Sequence, residues 1–399
     1  MRYNNYHKHT HYSNLSTQDV IVKPEHYIKR AKELGHTTYF TTEHGWGGNI
    51  FEAYELCHQN NLKCIFGVEA YYVDDMYEKD RSNYHIILIA KNELGRKEIN
   101  KIISKANTDG FYYKQRIDLS CLLSLNPNNV YVTTACVGSR LFKGDDWELM
   151  FLIPLYKHFK DNLFLEIQSH NESIQKQFNY KIMQLHNKYG IKLIHGCDSH
   201  YILPEDKGNR ALYLKGKGMN YGDEDNFMID YPTYEEIIER YKIQGIIPED
   251  KVKEAIENTL IFDECEGIKL DKEFKIPKVT KGNSTIELQR ILANEWKIKS
   301  KNVPTERHSE YMKNIYDEFN TIKECGMEDY FILDYYTIKK ATEDYGLVLT
   351  KSGRGSAVSF LTNKILGLTE VDRLKAPITL YPSRFMTAER ILKSRSLPD

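Results

Sequence analysis

The chain has 399 residues, of which 41% are hydrophobic and 28% charged. This is the composition of an ordinary globular protein, and the length suffices for two or three domains. The formal net charge of −1 gives no overall electrostatic case for nucleic-acid binding, although a local basic channel is compatible with it. The seven cysteines have no paired spacing, and the N-terminus has no apolar signal region. No apolar run approaches the ~18 residues of a membrane span. We therefore expect a cytoplasmic protein without disulfides.

Residues 7–200 alternate short β-branched runs with amphipathic helical patterns. The predicted strands cover residues 37–42, 63–73, 85–90, 130–135, 163–167 and 192–196, and the predicted helices cover 24–34, 49–61 and 173–189. Strands that are apolar on both faces and separated by helices are typical of a parallel sheet covered on both faces. The alternation therefore predicts an α/β fold, either a barrel or a doubly wound sheet.

Polar residues that can bind a metal stand near the ends of several predicted strands. His44, Cys136, Asp198 and His200 lie at or directly after strand ends, and Glu69 lies within a strand. In an α/β barrel the strand ends converge on one face, where residues from distant parts of the chain meet. This placement favours the barrel over the doubly wound sheet.

A His-x-His pair lies close to the N-terminus. His7 and His9 stand on an extended segment, where side chains two residues apart point the same way, so together they can bind one metal ion. An isolated pair of this kind is equally often two surface or hydrogen-bonded histidines. With the later polar residues it gives nine candidate ligands: His7, His9, Asp19, His44, Glu69, His85, Cys136, Asp198 and His200.

The chemistry of these donors narrows the choice of metal and reaction. Imidazole, carboxylate and thiolate ligands suit zinc, manganese or iron better than magnesium. Three divalent ions would carry about +6 against about −4 from three carboxylates and a thiolate, and the surplus would attract a phosphate and activate a bridging water. Each residue taken alone has a simpler explanation. Cys136 could be a buried thiol, and His85 could be a core histidine. Glu69 and Asp198 could cap strand ends or form ion pairs. Nine such coincidences are improbable, so the set predicts phosphoester hydrolysis.

From about residue 203 to 278 the sequence changes character. Two charged amphipathic helices, predicted at 232–241 and 249–260, have the pattern of a closing subdomain, and a linker is predicted at 269–284. Further helices are predicted around 286–299 and 309–324, before an apolar segment at 347–349.

A glycine-rich segment follows that apolar segment. Gly353, Arg354, Gly355 and Ser356 open a predicted helix that runs to Leu361. Glycines allow close backbone approach to a ligand, and free N–H groups at a helix start together with an arginine can bind phosphate. Alone, such a segment is more often a plain loop.

The N-terminal motifs resemble the PHP (polymerase and histidinol phosphatase) domain over roughly residues 6–201. The matching segments are His7-x-His9-Thr-x-x-Ser13, Thr42-Glu43-His44-Gly45, Gly67-x-Glu69, His85, Cys136 and Asp198-Ser199-His200. The resemblance implies a distorted seven-stranded barrel that binds three divalent metals. This sequence has Glu43 where the family usually has aspartate, and we expect its carboxylate to support the ligands from behind.

The C-terminal part resembles the palm of the C family of bacterial replicative DNA polymerases, the DNA polymerase III α subunits. The resemblance is carried by residues 330–335, 353–357, 366–372, 383–385 and 396–399. It implies that the segment Gly353-Arg354-Gly355-Ser356 holds the triphosphate of an incoming nucleotide. It also places Arg384 and Arg390 near phosphates, although both could be solvated surface arginines.

The palm of this family continues Pro-Asp-x-Asp, whose carboxylates bind the magnesium ions of nucleotidyl transfer. This sequence stops at Asp399, so at most the first of those carboxylates is present, and we expect no polymerase activity from this chain alone. The expected organisation is a metal-binding barrel at 1–205, helices and linker at 206–278, and an incomplete, mixed α/β palm at 279–399.

The resemblance implies a function in DNA replication, with primer-template DNA, nucleotide, the remainder of the polymerase, and clamp and proofreading subunits as partners. The main hypothesis is a metal-dependent 3′-to-5′ exonuclease site in the PHP domain. Two alternatives stay open at this point. One is a catalytically silent PHP scaffold that docks a proofreading subunit, and the other is a stand-alone PHP phosphatase.

Overall fold

The computed structural model describes residues 1–15, 17–142, 146–222, 226–271, 275–394 and 397–398. The chain divides into two compact units, Met1–Leu270 and Asp271–Asp399. Within the described ranges no helix is long and apolar enough to cross a membrane. The predicted three-way division of the chain stays a prediction.

Ten strands lie in the described part of the first unit. They are β1 (Thr38–Phe40), β2 (Glu43–His44), β3 (Lys63–Ile65), β4 (Gly67–Tyr72), β5 (Tyr84–Ala90), β6 (Phe111–Tyr112), β7 (Lys114–Ile117), β8 (Val130–Thr133), β9 (Leu163–Ile167) and β10 (Leu193–His195). Eight of them form one sheet in the order β10-β9-β8-β5-β4-β7-β6, with β2 paired to β4, while β1 and β3 pair separately. The predicted α/β character is confirmed.

The sheet is mixed, whereas the sequence predicted a parallel one. Strand β5 runs antiparallel to both β4 and β8, while β8, β9 and β10 are parallel. The connection from β4 to β5, residues 73–83, contains no helix, and without a crossover the chain can only return antiparallel. Among the described residues no pairing joins β10 to the other end of the sheet. The finer prediction of a closed seven-stranded barrel is therefore not confirmed.

Nine α-helices accompany these strands among the described residues of the first unit. They are α1 (Pro24–Glu33), α2 (Ile50–Gln59), α3 (Glu93–Thr108), α4 (Leu119–Leu123), α5 (Ile153–Phe159), α6 (Ser173–Tyr189), α7 (Lys207–Lys217), α8 (Tyr234–Gln244) and α9 (Glu249–Asn258). The predicted helices at 24–34, 49–61 and 173–189 correspond to α1, α2 and α6. Helix α6 ends where Gly190 adopts a left-handed conformation, φ +69°.

Both faces of the sheet are buried. In β5, Ile86 and Leu88 belong to a large core cluster that also includes helix side chains, whereas Ile87 and Ile89 belong to a second, smaller cluster. Tyr6 belongs to the smaller cluster, directly before the His-x-His pair. Alternating strand residues thus pack into two cores, which explains the continuous apolar runs in the sequence.

All regular secondary structure in the described part of the second unit is helical. Its helices are α10 (Ser284–Lys299), α11 (His308–Glu324), α12 (Glu328–Tyr345), α13 (Leu361–Leu366) and α14 (Ala388–Ser394), around a core that includes Leu288, Phe331 and Phe360. No strand occurs in the described part of this unit, so the prediction of a mixed α/β palm is wrong for these residues. The apolar segment 347–349 has no partner strand there, and Val348 is 85% exposed.

Candidate metal centre

The His-x-His segment is held against the loop that follows β10. Lys8 and Ser199 form a parallel β-bridge, in which His9 N donates to Ser199 O at 2.8 Å and Ser199 N donates to His7 O at 3.1 Å. Since alternate residues of an extended segment face opposite ways, His7 and His9 share one side and Lys8 turns to the other. This bridge brings the pair beside Asp198.

Glu69, in β4, lies at the centre of the cluster and is fully buried. Its Oε1 is 3.2 Å from His7 Nε2 and 3.0 Å from His85 Nδ1. Its Oε2 is 3.4 Å from His9 Nε2 and 2.5 Å from His44 Nδ1. One carboxylate therefore touches four imidazoles, the arrangement of a bridging ligand.

The structure brings all nine predicted ligands together. Three groups have ligand atoms within 4.8 Å of one another: His9, His44 and His200; His7, His9 and Asp198; and Glu69, His85 and Cys136. Asp19 completes the set, because its Oδ2 is 3.3 Å from His200 Nε2. Three groups, two of which share His9, are the number that three metal ions would need, and which ions bind stays a prediction.

Two residues of the centre have a backbone conformation that is uncommon outside glycine. Asp198 has φ +51°, and Ala135, directly before Cys136, has φ +57°. The left-handed region is sterically unfavourable for a residue with a Cβ, and such residues concentrate at functional sites. The loops after β8 and β10 thus accept strain while they present the thiol and the carboxylate.

Glu43 supports two ligand histidines from behind, through Ser13. Its carboxylate accepts hydrogen bonds from Thr10 N at 2.8 Å, Thr10 Oγ1 at 2.6 Å and Ser13 Oγ at 2.6 Å. Ser13 Oγ in turn lies 3.1 Å from His9 Nδ1 and accepts the backbone N–H of His44 at 3.1 Å. The extra methylene of glutamate, relative to the aspartate of the family, is compatible with this network.

Two residues beside the centre were missed by the sequence reasoning. Glu166 is fully buried in β9, and its Oε1 lies 2.7 Å from His7 Nδ1. The sequence feature that could have identified Glu166 is its charge inside the otherwise apolar strand Leu163–Ile167. Arg210, in α7, donates from Nε to Asp19 O at 3.1 Å. An arginine on a helix surface gave no signal before folding placed it there.

The buried charges act strongly on one another. Burial by itself would raise the pKa of Glu69, but the charges of His85, His44 and His9 outweigh burial and hold this pKa well below its ordinary value. Burial and the neighbouring charge of His44 lower the pKa of His9 to about 3. Burial, followed by the charges of Asp198 and Glu69, raises the pKa of the Cys136 thiol well above its usual range. Within the cluster, burial and mutual charge thus hold the pKa values of the Glu69 carboxylate and the His9 imidazole low and that of the Cys136 thiol high.

A second observation also indicates that these donor atoms can hold a metal. Seven buried ligand atoms have no hydrogen-bond partner of acceptable geometry among the described residues, namely His7 Nε2, His9 Nε2, His44 Nδ1, Asp19 Oδ1, Asp198 Oδ1 and both oxygens of Glu69. Buried polar atoms without partners are costly and therefore rare in folded proteins. Six of these atoms, all except Asp19 Oδ1, each lie within 3.4 Å of another of the six, so divalent cations would satisfy them together.

The predicted nucleotide-binding residues lie in the second unit. Gly353, Arg354, Gly355 and Arg384 are exposed. Arg390 donates to the backbone carbonyls of Arg384 and Phe385. Asp399, the predicted palm carboxylate, lies outside the described residues.

The glycine-rich segment does not open the predicted helix. Residues Ala357–Ser359 form a 3₁₀ turn, and α13 begins only at Leu361. Its first N–H groups are already used, because the Glu318 carboxylate accepts from Leu361 N at 3.0 Å and Thr362 N at 2.7 Å. The N–H groups of Leu361 and Thr362 are therefore not free to bind a phosphate.

Comparisons with known proteins identify two regions. The PHP domain family matches residues 5–170, and the family described as bacterial DNA polymerase III alpha NTPase domain matches residues 287–399. DNA polymerase III subunit alpha of Borreliella burgdorferi is 28% identical over 98% of this chain and 34% of that protein. The same subunit of Aquifex aeolicus is 27% identical over 98% of this chain and 35% of that protein.

The chain thus spans about a third of the length of these curated relatives. Among solved structures, an amidohydrolase from Chromobacterium violaceum with bound sulfate is 14% identical, covers 59% of this chain and 97% of that chain, and has a TM-score of 0.34. The predicted resemblance is confirmed at the level of sequence: across nearly all of its length, the chain is similar to bacterial DNA polymerase III α subunits, with a match to the PHP domain family followed by a match to the DNA polymerase III alpha NTPase domain family.

Proposed function

We propose that the first unit is a metal-dependent phosphodiesterase that removes mispaired 3′ nucleotides from a primer, in the 3′-to-5′ direction. The observation that carries this proposal is the cluster around Glu69, where nine ligand-type residues converge and seven of their buried polar atoms have no hydrogen-bond partner among the described residues. A site built only for stability would satisfy these atoms with ordinary hydrogen bonds.

In this proposal the nine residues would hold three divalent ions, with the Glu69 carboxylate among their ligands. The imidazoles and the Cys136 thiolate favour zinc, manganese or iron over magnesium. Bound ions of this kind neutralise a phosphodiester and lower the pKa of a coordinated water, which then serves as the nucleophile. The residues behind the ligands, Ser13 and Glu43 among them, keep the imidazoles in place.

We further propose that the chain acts in DNA replication as part of a DNA polymerase III α subunit in the cytoplasm. Similarity over 98% of the chain supports this assignment. Primer-template DNA, an incoming nucleotide, the remainder of the polymerase, a clamp and a proofreading subunit would then be partners. The exposed segment from Gly353 to Ser356, with Arg384 and Arg390, would contact phosphates of the nucleotide or DNA, and Asp399 would be the first magnesium-binding carboxylate of the completed palm.

The decisive experiment combines metal analysis with a nuclease assay. The purified chain is assayed for bound metals and for degradation of a 3′-mismatched primer, alongside His9→Ala and, as a control, His26→Ala at a half-exposed position in α1. We expect metal-dependent degradation that is lost in His9→Ala, with an unchanged circular dichroism spectrum, and retained in His26→Ala. Equal activity of His9→Ala and the unchanged chain would contradict the proposal. Metal binding without any degradation would favour a scaffold that docks a separate proofreading subunit.

A further inference from the structure

Glu166 occupies a fully buried position behind the metal centre, where four groups surround its carboxylate. Oε1 lies 2.7 Å from His7 Nδ1 and accepts from Gln168 Nε2 at 2.8 Å. Oε2 accepts from Tyr6 OH at 2.6 Å and from Thr133 Oγ1 at 3.1 Å. Its neighbours can all donate, so both oxygens act as acceptors and the side chain has little freedom to move.

This contact decides which way the His7 ring faces. With Nδ1 on Glu166, the opposite ring nitrogen Nε2 lies 3.2 Å from Glu69 Oε1 and 3.2 Å from Asp198 Oδ1. When Nδ1 carries the proton that Glu166 accepts, the lone pair of a neutral imidazole must be on Nε2. We propose that Glu166 is a positioning residue of the metal centre, which holds His7 in the Nε2-ligand tautomer and makes it a stronger donor. This inference rests on the proposed metal centre.

Glu166 differs from the groups behind the other ligand histidines. His9 Nδ1 lies 3.1 Å from the Ser13 hydroxyl, and His200 Nδ1 lies 2.8 Å from the backbone carbonyl of Asp198, so the nearest partner of each is uncharged, although the Asp198 carboxylate lies 3.5 Å from His200 Nδ1. A carboxylate behind a metal-bound imidazole raises its basicity more than a neutral acceptor does.

Gly196 provides the space that Glu166 needs. A Cβ built on Gly196 would overlap the Glu166 carboxylate, closer than real Cβ contacts occur. The backbone of Gly196 is not in the left-handed region, so alanine is allowed there by conformation and excluded mainly by this overlap. Gly196→Ala is therefore an independent way to displace Glu166 without changing its chemistry.

The test measures Zn²⁺ affinity of the full chain by competition with a chromophoric chelator. The variants are Glu166→Gln and Gly196→Ala, and each has a matched control. Glu318→Gln removes a buried, hydrogen-bonded carboxylate in the second unit, and Gly208→Ala adds a Cβ in α7 where no atom lies within 4 Å. We expect both test variants to bind Zn²⁺ ~10–100-fold more weakly, and both controls to bind like the unchanged chain.

A spectroscopic readout separates positioning from general destabilisation. In the Zn²⁺-loaded protein with ¹⁵N-labelled histidines, a ring N–H proton donated to a carboxylate gives a far-downfield resonance. We expect this resonance in the unchanged chain and in both controls, and its loss or upfield shift in Glu166→Gln and Gly196→Ala. Circular dichroism verifies folding, and if one test variant fails to fold, the other still decides.

The outcomes separate this inference from the proposed function. Unchanged Zn²⁺ affinity and an unchanged downfield resonance in a folded Glu166→Gln or Gly196→Ala would overturn the role of Glu166. Absence of Zn²⁺ binding by the unchanged chain would overturn the metal centre itself, and the inference with it. Zn²⁺ binding that depends on Glu166, in a protein that degrades no primer, would support the inference while contradicting the nuclease.

Discussion

His195 makes the stability of the first unit sensitive to acid. It lies in β10 and is 1% exposed, with Nδ1 2.9 Å from Tyr241 OH and Nε2 3.4 Å from Cys197 Sγ. Burial, together with the charges of His170 and Arg240, lowers the pKa of His195 to about 3. In the unfolded chain a histidine titrates at about 6.5. Between these two values the unfolded state binds the extra proton.

The sign and the size of the effect follow from this difference. Because the unfolded state binds more protons, the stabilising contribution is present above about pH 6.5 and is lost as the pH falls toward 3. Between about pH 7 and pH 5, His195 alone should lower the free energy of unfolding by ~2 kcal/mol. His195→Asn removes the titrating group, so this variant should lose ~2 kcal/mol less than the parent over the same interval.

Urea unfolding at the two pH values, with a chelator present, measures this difference. A Trp296→Phe background leaves Trp46 and Trp147, both in the first unit, as the fluorescent reporters. His195→Asn also loses packing, so the comparison concerns the change with pH and not the absolute stability. His36→Asn should behave similarly, because burial and the charge of Arg2 lower the pKa of His36 to about 4. Identical pH dependence in parent and variants would refute the reasoning.

Four substitutions, one of them a control, test the packing and hydrogen bonding within the two units. Ser13→Ala removes the hydroxyl that links a buried carboxylate to two ligand histidines, and ~10-fold weaker Zn²⁺ binding is expected in chelator competition; full affinity would contradict the link. Glu318→Gln leaves the buried guanidinium of Arg373 without its ion-pair partner. Urea titration should show that the free energy of unfolding of the second unit falls by ~3–5 kcal/mol. A fall below ~1 kcal/mol would argue against a stabilising role of this ion pair. Gly95→Ala places a Cβ inside contact distance of a backbone carbonyl oxygen and should lower the free energy of unfolding by ~1–3 kcal/mol. Gly208→Ala, in open space, should raise it by ~0.4–1 kcal/mol. Equal melting temperatures for the two variants would show that the clash is absent.

The sequence by itself determined the composition of the candidate centre. Motifs such as His7-x-His9 and Gly67-x-Glu69 place ligand-type residues at fixed local spacings, and spacing is a property of the chain before it folds. Helices with strong local signals were also predictable, as α6 shows with its left-handed Gly190 at the end. Local periodicity and capping need no information from distant residues.

Tertiary structure decided the features that depend on distant partners. The antiparallel direction of β5 follows from how its connection packs, and the strand pattern of 85–90 is the same for either direction. Glu318 reaches the first N–H groups of α13 across 43 residues of sequence, so the helix that follows the glycine-rich segment is capped by a distant carboxylate.

The surroundings of the ligands were likewise settled only by folding. Glu166 meets His7 across 159 residues, and Arg210 meets Asp19 across 191. In the sequence these two residues are an isolated charge in a strand and an ordinary helix arginine. A ligand is recognisable from its own residue type and spacing. The group that orients the ligand is defined by a hydrogen bond. Between distant residues that bond forms only once folding has brought donor and acceptor within about 3 Å of each other.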